Sequence, residues 1–292
     1  MKQLPVLEPG DKPRKATWYT LTLPGDSPCA RVGHSCSYLP PVGNAKTGKV
    51  FIVGGANPNR SFSDVHAMDL ETRMWTTPEV TSPPPSPRTF HTSSAAIGNQ
   101  LYVFGGGERG AQPVQDTKLH VFDAKTLTWS QPETLGNPPS PRHGHVMVAA
   151  GTKLFIHGGL AGDKFYDDLH CIDISNMKWQ KLSPTGAAPA GCAAHSAVAV
   201  GNHLYIFGGM TPAGALDTMY QYHTVTCASE KEDSNSLTLN HEAEKRDSAD
   251  KVMSHSGDSH EEGQTDTLLC LVFGGMNTEG EIYDDCIVTI VD

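Results

Sequence analysis

The sequence has no paired CxxC cysteines, no long apolar run and little charge. Its seven cysteines (29, 36, 171, 192, 227, 270, 286) are odd in number and widely spaced. That pattern predicts reduced thiols acting as small hydrophobes, not a disulfide framework or a zinc finger. No window approaches the roughly 18 apolar residues of a membrane-spanning helix. The opening stretch MKQLPVLEPGDKPRKATW lacks the apolar core of a secretory signal. Together these absences predict a cytoplasmic protein. Charged residues make up only 18% and the net charge is -10, which argues against nucleic acid or an anionic membrane as a direct partner. GGGERG, residues 105–110, is rich in glycine, but neither a helix nor a Lys followed by Ser or Thr comes after it, so it is no phosphate loop. No Ser-His-Asp or Cys-His arrangement stands out. The expectation is a protein without catalytic residues, cofactor or metal.

Glycine (29) and proline (21) are abundant, and hydrophobic residues make up 38% of the 292. That suits many short strands joined by tight turns. A double glycine follows an apolar run five times: VFIVGG (Gly54, Gly55), LYVFGG (Gly105, Gly106), LFIHGG (Gly158, Gly159), LYIFGG (Gly208, Gly209) and CLVFGG (Gly274, Gly275). The first glycines are 51, 53, 50 and 66 residues apart. A period of about 50 with this content marks a kelch repeat, one four-stranded propeller blade each. Ahead of the double glycines stand ARVGHS, PRTFHT, PRHGHV and GCAAHS, which place Arg31, Arg88 and Arg142 and the histidines His34, His91, His145 and His195 in register. After them come Asp69, Asp123 and Asp173, each six residues before a tryptophan: Trp75, Trp129 and Trp179.

The predicted fold class is therefore all-β, a kelch-type propeller of five double-glycine repeats. The apolar run is a strand buried on both faces and need not alternate. The glycines end it where the chain turns sharply and neighbouring blades come close. The Trp fills the widening gap between radiating sheets, and the Asp before it caps a turn. Trp18 opens the chain in a similar context, so an outer strand near 17–22 is expected to join the C-terminal strands and close the ring.

The pattern breaks once. Residues 225–267 lack the outer-strand Trp of blade four and the inner-strand His of blade five. Within them, 229–266 hold 11 acidic and 4 basic residues and many serines, which predicts a disordered acidic insert. The expected propeller comprises 1–224 and 268–292, with blades four and five incomplete. Serines in 229–259 are candidate phosphorylation sites. His255, Asp258, His260 and Glu261 lie in the insert, where a metal site has no scaffold. The repeated histidines, including His66, His120 and His170, are expected to serve the blades, because a site would need a break in symmetry.

Topology puts the turns before the inner strands on one face of the disc with the loops between strands two and three. Those loops carry Arg60, Phe62, Arg109, Lys164, Phe165 and Tyr166. Arginine and aromatic side chains on rigidly held loops are the expected partner-binding anchors, with packing inside their own loops as the competing role.

Longer stretches carry a closer resemblance. VFIVGGANPNRSFSDVH, WTTPEVTSPPPSPRTFHTSSAAIGNQLYVFGGGERGAQPVQDTKLHVFDA and GGMNTEGEIYDDCIVTIVD resemble the Rab GTPase effectors with kelch motifs, over essentially the whole chain. The resemblance implies binding of a late-endosomal Rab in its GTP form. It further implies return of mannose-6-phosphate receptors from late endosomes to the trans-Golgi network, and peripheral membrane association through partners. It also implies a shortened chain: the family pattern has another repeat between Leu70 and Glu71, and two strands more near 223–229. An adaptor presenting other proteins, for example to a ubiquitin ligase, is the alternative.

Overall fold

The computed structural model describes residues 4–8, 11–91, 95–108, 112–226, 228–232, 268–277 and 279–291. Among them every regular element is a strand, and no helix is long and apolar enough to cross a membrane. The strands form five radial sheets of the kelch-propeller kind. Blade one comprises Ser35–Leu39, Lys49–Val53, Val65–Asp69 and Met74–Thr76, all antiparallel. Blade two comprises Ala96–Ile97, Gln100–Val103, His120–Asp123 and Thr128–Ser130. Blade three comprises Val146–Ala150, Lys153–His157, Leu169–Asp173 and Lys178–Leu182.

Sheets pack through apolar residues from all four strands. Phe51 and Val65 of blade one meet Leu101, Phe122 and Trp129 of blade two. Tyr102 and Phe104 meet Met147, Ile156 and Trp179 of blade three. Phe155 and Leu169 meet Leu204 and Tyr222 of blade four. The three tryptophans are buried and lie against aromatic rings, Trp179 5.4 Å from Phe104 and Trp75 5.5 Å from Phe273 of blade five. Asp69, Asp123 and Asp173 each accept main-chain N–H bonds from the turn that follows. Blade one is whole across Leu70 and Glu71. Met68 pairs with Trp75 as Phe122 pairs with Trp129, so the two blades share one register.

Blade four corrects an expectation. Its outer strand is present: Ala228–Glu232 pairs antiparallel with Met219–His223. The Trp register position is filled by Ser229, opposite Tyr222, and the capping position by His223, whose Nδ1 accepts N–H bonds from Val225 and Thr226. The blade is complete and the insert begins later than residue 225. Ser229 is buried, so it is no accessible phosphorylation site. Residues 233–267, with their expected disorder and remaining serines, lie outside the described residues, as do His255, Asp258, His260 and Glu261.

Blade five contains Leu268–Met276, Ile282–Val291 and the N-terminal Tyr19–Leu21, whose Tyr19 pairs with Val288. It lacks an inner strand among the described residues. The pairing of Tyr19 with Val288 is the one expected of the N-terminal strand, and main-chain bonds also link neighbouring blades. The main-chain N–H of Gly55, Gly106, Gly159 and Gly275 donates to the carbonyl of Arg88, Arg142, Cys192 and Arg31 respectively, giving the order five, one, two, three, four. No equivalent bond joins blade four to blade five among the described residues. Val198 and Phe207, on the side of blade four turned from blade three, are 54% and 53% exposed.

The double glycines show why this position excludes a side chain. Gly106 has φ +100, and a Cβ there would lie 2.8 Å from that of His91. Gly275 has open space instead, and the described residues of blade five include no inner-strand histidine.

Candidate partner-binding face

Three repeated clamps stiffen one face. Arg31, fully buried, donates to the Gly54 carbonyl at 3.0 Å and to both carboxylate oxygens of Asp64, and His66 bonds the same carboxylate at 3.1 Å. Arg88, Asp116 and His120 repeat the arrangement in blade two, and Arg142, Asp168 and His170 in blade three. Each clamp ties the turn before an inner strand to the loop between strands two and three. Burial pushes the Asp64 and Asp168 carboxyls up. The hydrogen bonds and positive charges of their His and Arg partners outweigh it and hold both far below the usual carboxylate range. Blade four has no such clamp, since Cys192 stands at the Arg position.

A second network runs near the axis. Phe90 N–H donates to the Gly33 carbonyl, Gly144 N–H to Phe90, and Ala194 N–H to Gly144, each at 2.8 Å. All four residues have positive φ, between +49 and +66. Gly33 and Gly144 adopt it freely, whereas Phe90 is strained there. Phe90 is 44% exposed.

The sequence-predicted anchors separate on this framework. Phe62 is buried, with Arg31 stacked 4.1 Å and Arg60 4.9 Å from its ring centre; it supports the loop and is not exposed. Tyr166 is half-buried beneath Arg142 at 4.0 Å and Lys164 at 4.8 Å. Arg60 and Lys164 are exposed and Phe165 is half-buried. Arg109 lies outside the described residues. Arg60 lines a cavity of about 550 Å³ between blades one, two and five, together with Val32, Pro58, Phe90, Met276 and Ile282. Lys164, Phe165 and Tyr166 do not reach it.

Phe90 and Met276 were missed in the sequence. The signal was there: Phe90 occupies the position before the histidine where ARVGHS and PRHGHV have glycine. A large aromatic where the backbone wants glycine is a departure that the fold alone does not explain. Mixed charges, Arg60 and Glu108, rim an apolar floor. Such a surface can bury an aliphatic or aromatic protrusion and pair with charges around it, as protein interfaces do.

Comparison with known proteins follows the same line. A family model described as the KLHDC2/KLHL20/DRC7 Kelch-repeats domain matches residues 12–209, and a Kelch motif matches residues 191–230. The chain is 74% identical to the human protein named Rab9 effector protein with kelch motifs, over 372 aligned positions that cover all of both. Identity to the proteins of that name from Bos taurus and Mus musculus is 66% and 63%, with 100% of this chain covered and 100% and 98% of theirs. The alignments span 372 positions against 292 residues here, so this chain is a shortened form.

Proposed function

This chain belongs to the kelch-repeat family of Rab9 effector proteins with kelch motifs, and we propose that it is a Rab effector scaffold. The whole-length likeness to relatives of that name carries the reading. The face held by the clamps is the candidate place, and its cavity lined by Arg60, Phe90, Met276 and Ile282 supports that reading.

The physical basis for selecting a nucleotide state is rigidity. GTP orders the switch loops of a Rab protein through its γ-phosphate. A face held by buried Arg–Asp–His clamps gives up little freedom on binding, and gains most from a partner that is itself ordered. The GTP-bound Rab is therefore the form it takes. It binds no nucleic acid and reaches late-endosomal and trans-Golgi membranes through its partner. In this reading the transport served is that of mannose-6-phosphate receptors, and the chain itself performs no catalysis.

Capture from solution by GTP-locked and GDP-locked Rab9, beside a panel of other Rab proteins, is the test. Preferential capture by the GTP-locked form is expected. Equal capture by both forms, or by neither, sinks the reading for this chain.

A further inference from the structure

One place departs from the repeat twice. At the position before the double glycine the five repeats read Val53, Phe104, His157, Phe207 and Phe273. Three positions before the inner-strand histidine they read Arg31, Arg88, Arg142 and Cys192. The two exceptions, His157 of blade three and Cys192 of blade four, meet at the same junction. The third member is His195, the repeat histidine of blade four. His157 Nδ1 lies 3.1 Å from His195 Nε2, and one ligand atom from each of the three residues falls within 4.8 Å of the others. All three are buried. His157 Nε2 and His195 Nδ1, also buried, have no hydrogen-bond partner.

We propose that His157, Cys192 and His195 form a zinc-binding site that bridges blades three and four. Two imidazoles and a thiolate suit a borderline-soft divalent ion, and zinc above all. With Zn–N of about 2.0–2.1 Å and Zn–S of about 2.3 Å, tetrahedral ligand atoms stand roughly 3.3–3.6 Å apart. The two nitrogens are already that close, and the sulfur has at most a little over 1 Å to close. Rigid elements hold every ligand. His157 ends a five-residue ladder. The Cys192 carbonyl accepts from Gly159 N–H at 2.8 Å, and its own N–H donates to Tyr166. Gly158 admits the His195 ring, which would lie 2.6 Å from a Cβ at that position.

Loading the site releases one proton. Zn–S forms as the Cys192 S–H proton leaves to solvent, and each imidazole binds as a neutral ligand. The proton now held between Nδ1 of His157 and Nε2 of His195 moves to the far nitrogen of its own ring, one of the two that lack a partner. Burial already keeps both rings uncharged and the thiol protonated. Among the described residues no fourth His, Cys, Asp or Glu joins the group, so a water completes the tetrahedron. Blade four lacks the arginine clamp of blades one to three, and its other side is exposed. The metal supplies a brace where the repeat has lost one.

The test uses the full chain, stripped with a chelator, loaded with zinc and desalted. Metal content by mass spectrometry and the thermal midpoint are then read. About one zinc per chain and a raised midpoint are expected. His157→Phe and Cys192→Ser should each lower retained zinc by at least about tenfold and abolish the rise. His157→Phe places a residue that three other repeats carry, so the fold should accept it. Cobalt(II) on the unaltered chain should give a near-ultraviolet thiolate-to-metal band, absent in Cys192→Ser. No retained zinc, no cobalt band, or equal zinc on the unaltered chain and both variants would overturn the proposal. The last result would place the metal elsewhere, as on the acidic segment around His255 and His260.

Discussion

The main-chain N–H of Phe90 donates to the carbonyl of Gly33 across the boundary of blades one and two, and both residues have left-handed backbone. For a side chain as large as phenylalanine that conformation costs roughly 1–2 kcal/mol. The cost is held in place beside the proposed binding cavity. Phe90→Gly should leave thermal stability unchanged or raise it by up to about 1 kcal/mol. It should also weaken capture by GTP-locked Rab9. Undiminished capture would show that the ring takes no part in binding.

The clamps should dominate stability. Arg142→Ala leaves Asp168 without its buried counter-charge and should cost about 3–5 kcal/mol in urea unfolding. Arg142→Lys should recover little of this, because an ammonium cannot reproduce the fork to Asp168 and Gly158. Arg60→Ala, on the exposed side of Phe62, should stay within about 0.5 kcal/mol while lowering Rab capture. Equal losses for the two alanine variants would contradict the division between support and contact surface.

Acid should unfold the protein early. Burial, first of all, lowers His34 and His195 to about 4 and His91 and His157 to about 3. In the unfolded chain these groups take up protons near pH 6.5. Between that value and pH 3–4 the unfolded state binds more protons, so stability falls as pH falls. Below about pH 4 the depressed carboxyls of Asp64 and Asp168 add to the loss in the same direction. Each unit of depression corresponds to about 1.4 kcal/mol. A urea midpoint that stays flat from pH 7 to 4.5 would refute this reading.

Blade four presents Val198, Val200 and Phe207 on its open side. Contiguous exposed apolar side chains favour self-association. Val198→Asp with Phe207→Ser should reduce concentration-dependent light scattering and shift stability by no more than about 0.5 kcal/mol. A loss of several kcal/mol would mean that the face is covered within the chain.

The sequence made the blades legible because each rests on a spacing. The interval from Asp69 to Trp75 recurs from Asp123 to Trp129 and from Asp173 to Trp179, and the structure follows it strand by strand. The same reliance hid the outer strand of blade four. His223 and Ser229 keep the interval while changing both residue types, so a search for Asp and Trp passed over them. The binding face was half legible. Loop membership is a matter of topology, and it put Arg60, Lys164, Phe165 and Tyr166 on loops between strands two and three, where the structure has them. Exposure depends on what a side chain stacks against, and Phe62 disappeared beneath Arg31. His157 was overlooked because the histidines were read as a class, although its position in LFIHGG differs from the others.

The pairing of Tyr19–Leu21 with the last strand, tied by Thr289 Oγ1 donating to the Thr17 carbonyl, joins positions 272 residues apart in the chain. Tyr19–Leu21 is synthesised long before the strand Ile282–Val291 with which it pairs. Blades one to four can form as they emerge from the ribosome, each from its own hairpins. The fifth waits for the C-terminus, with the apolar side of blade one uncovered meanwhile. Contacts of such separation slow folding and expose intermediates to aggregation. In the cell this protein's dependence on chaperones should therefore be set by the pairing of Tyr19–Leu21 rather than by its core.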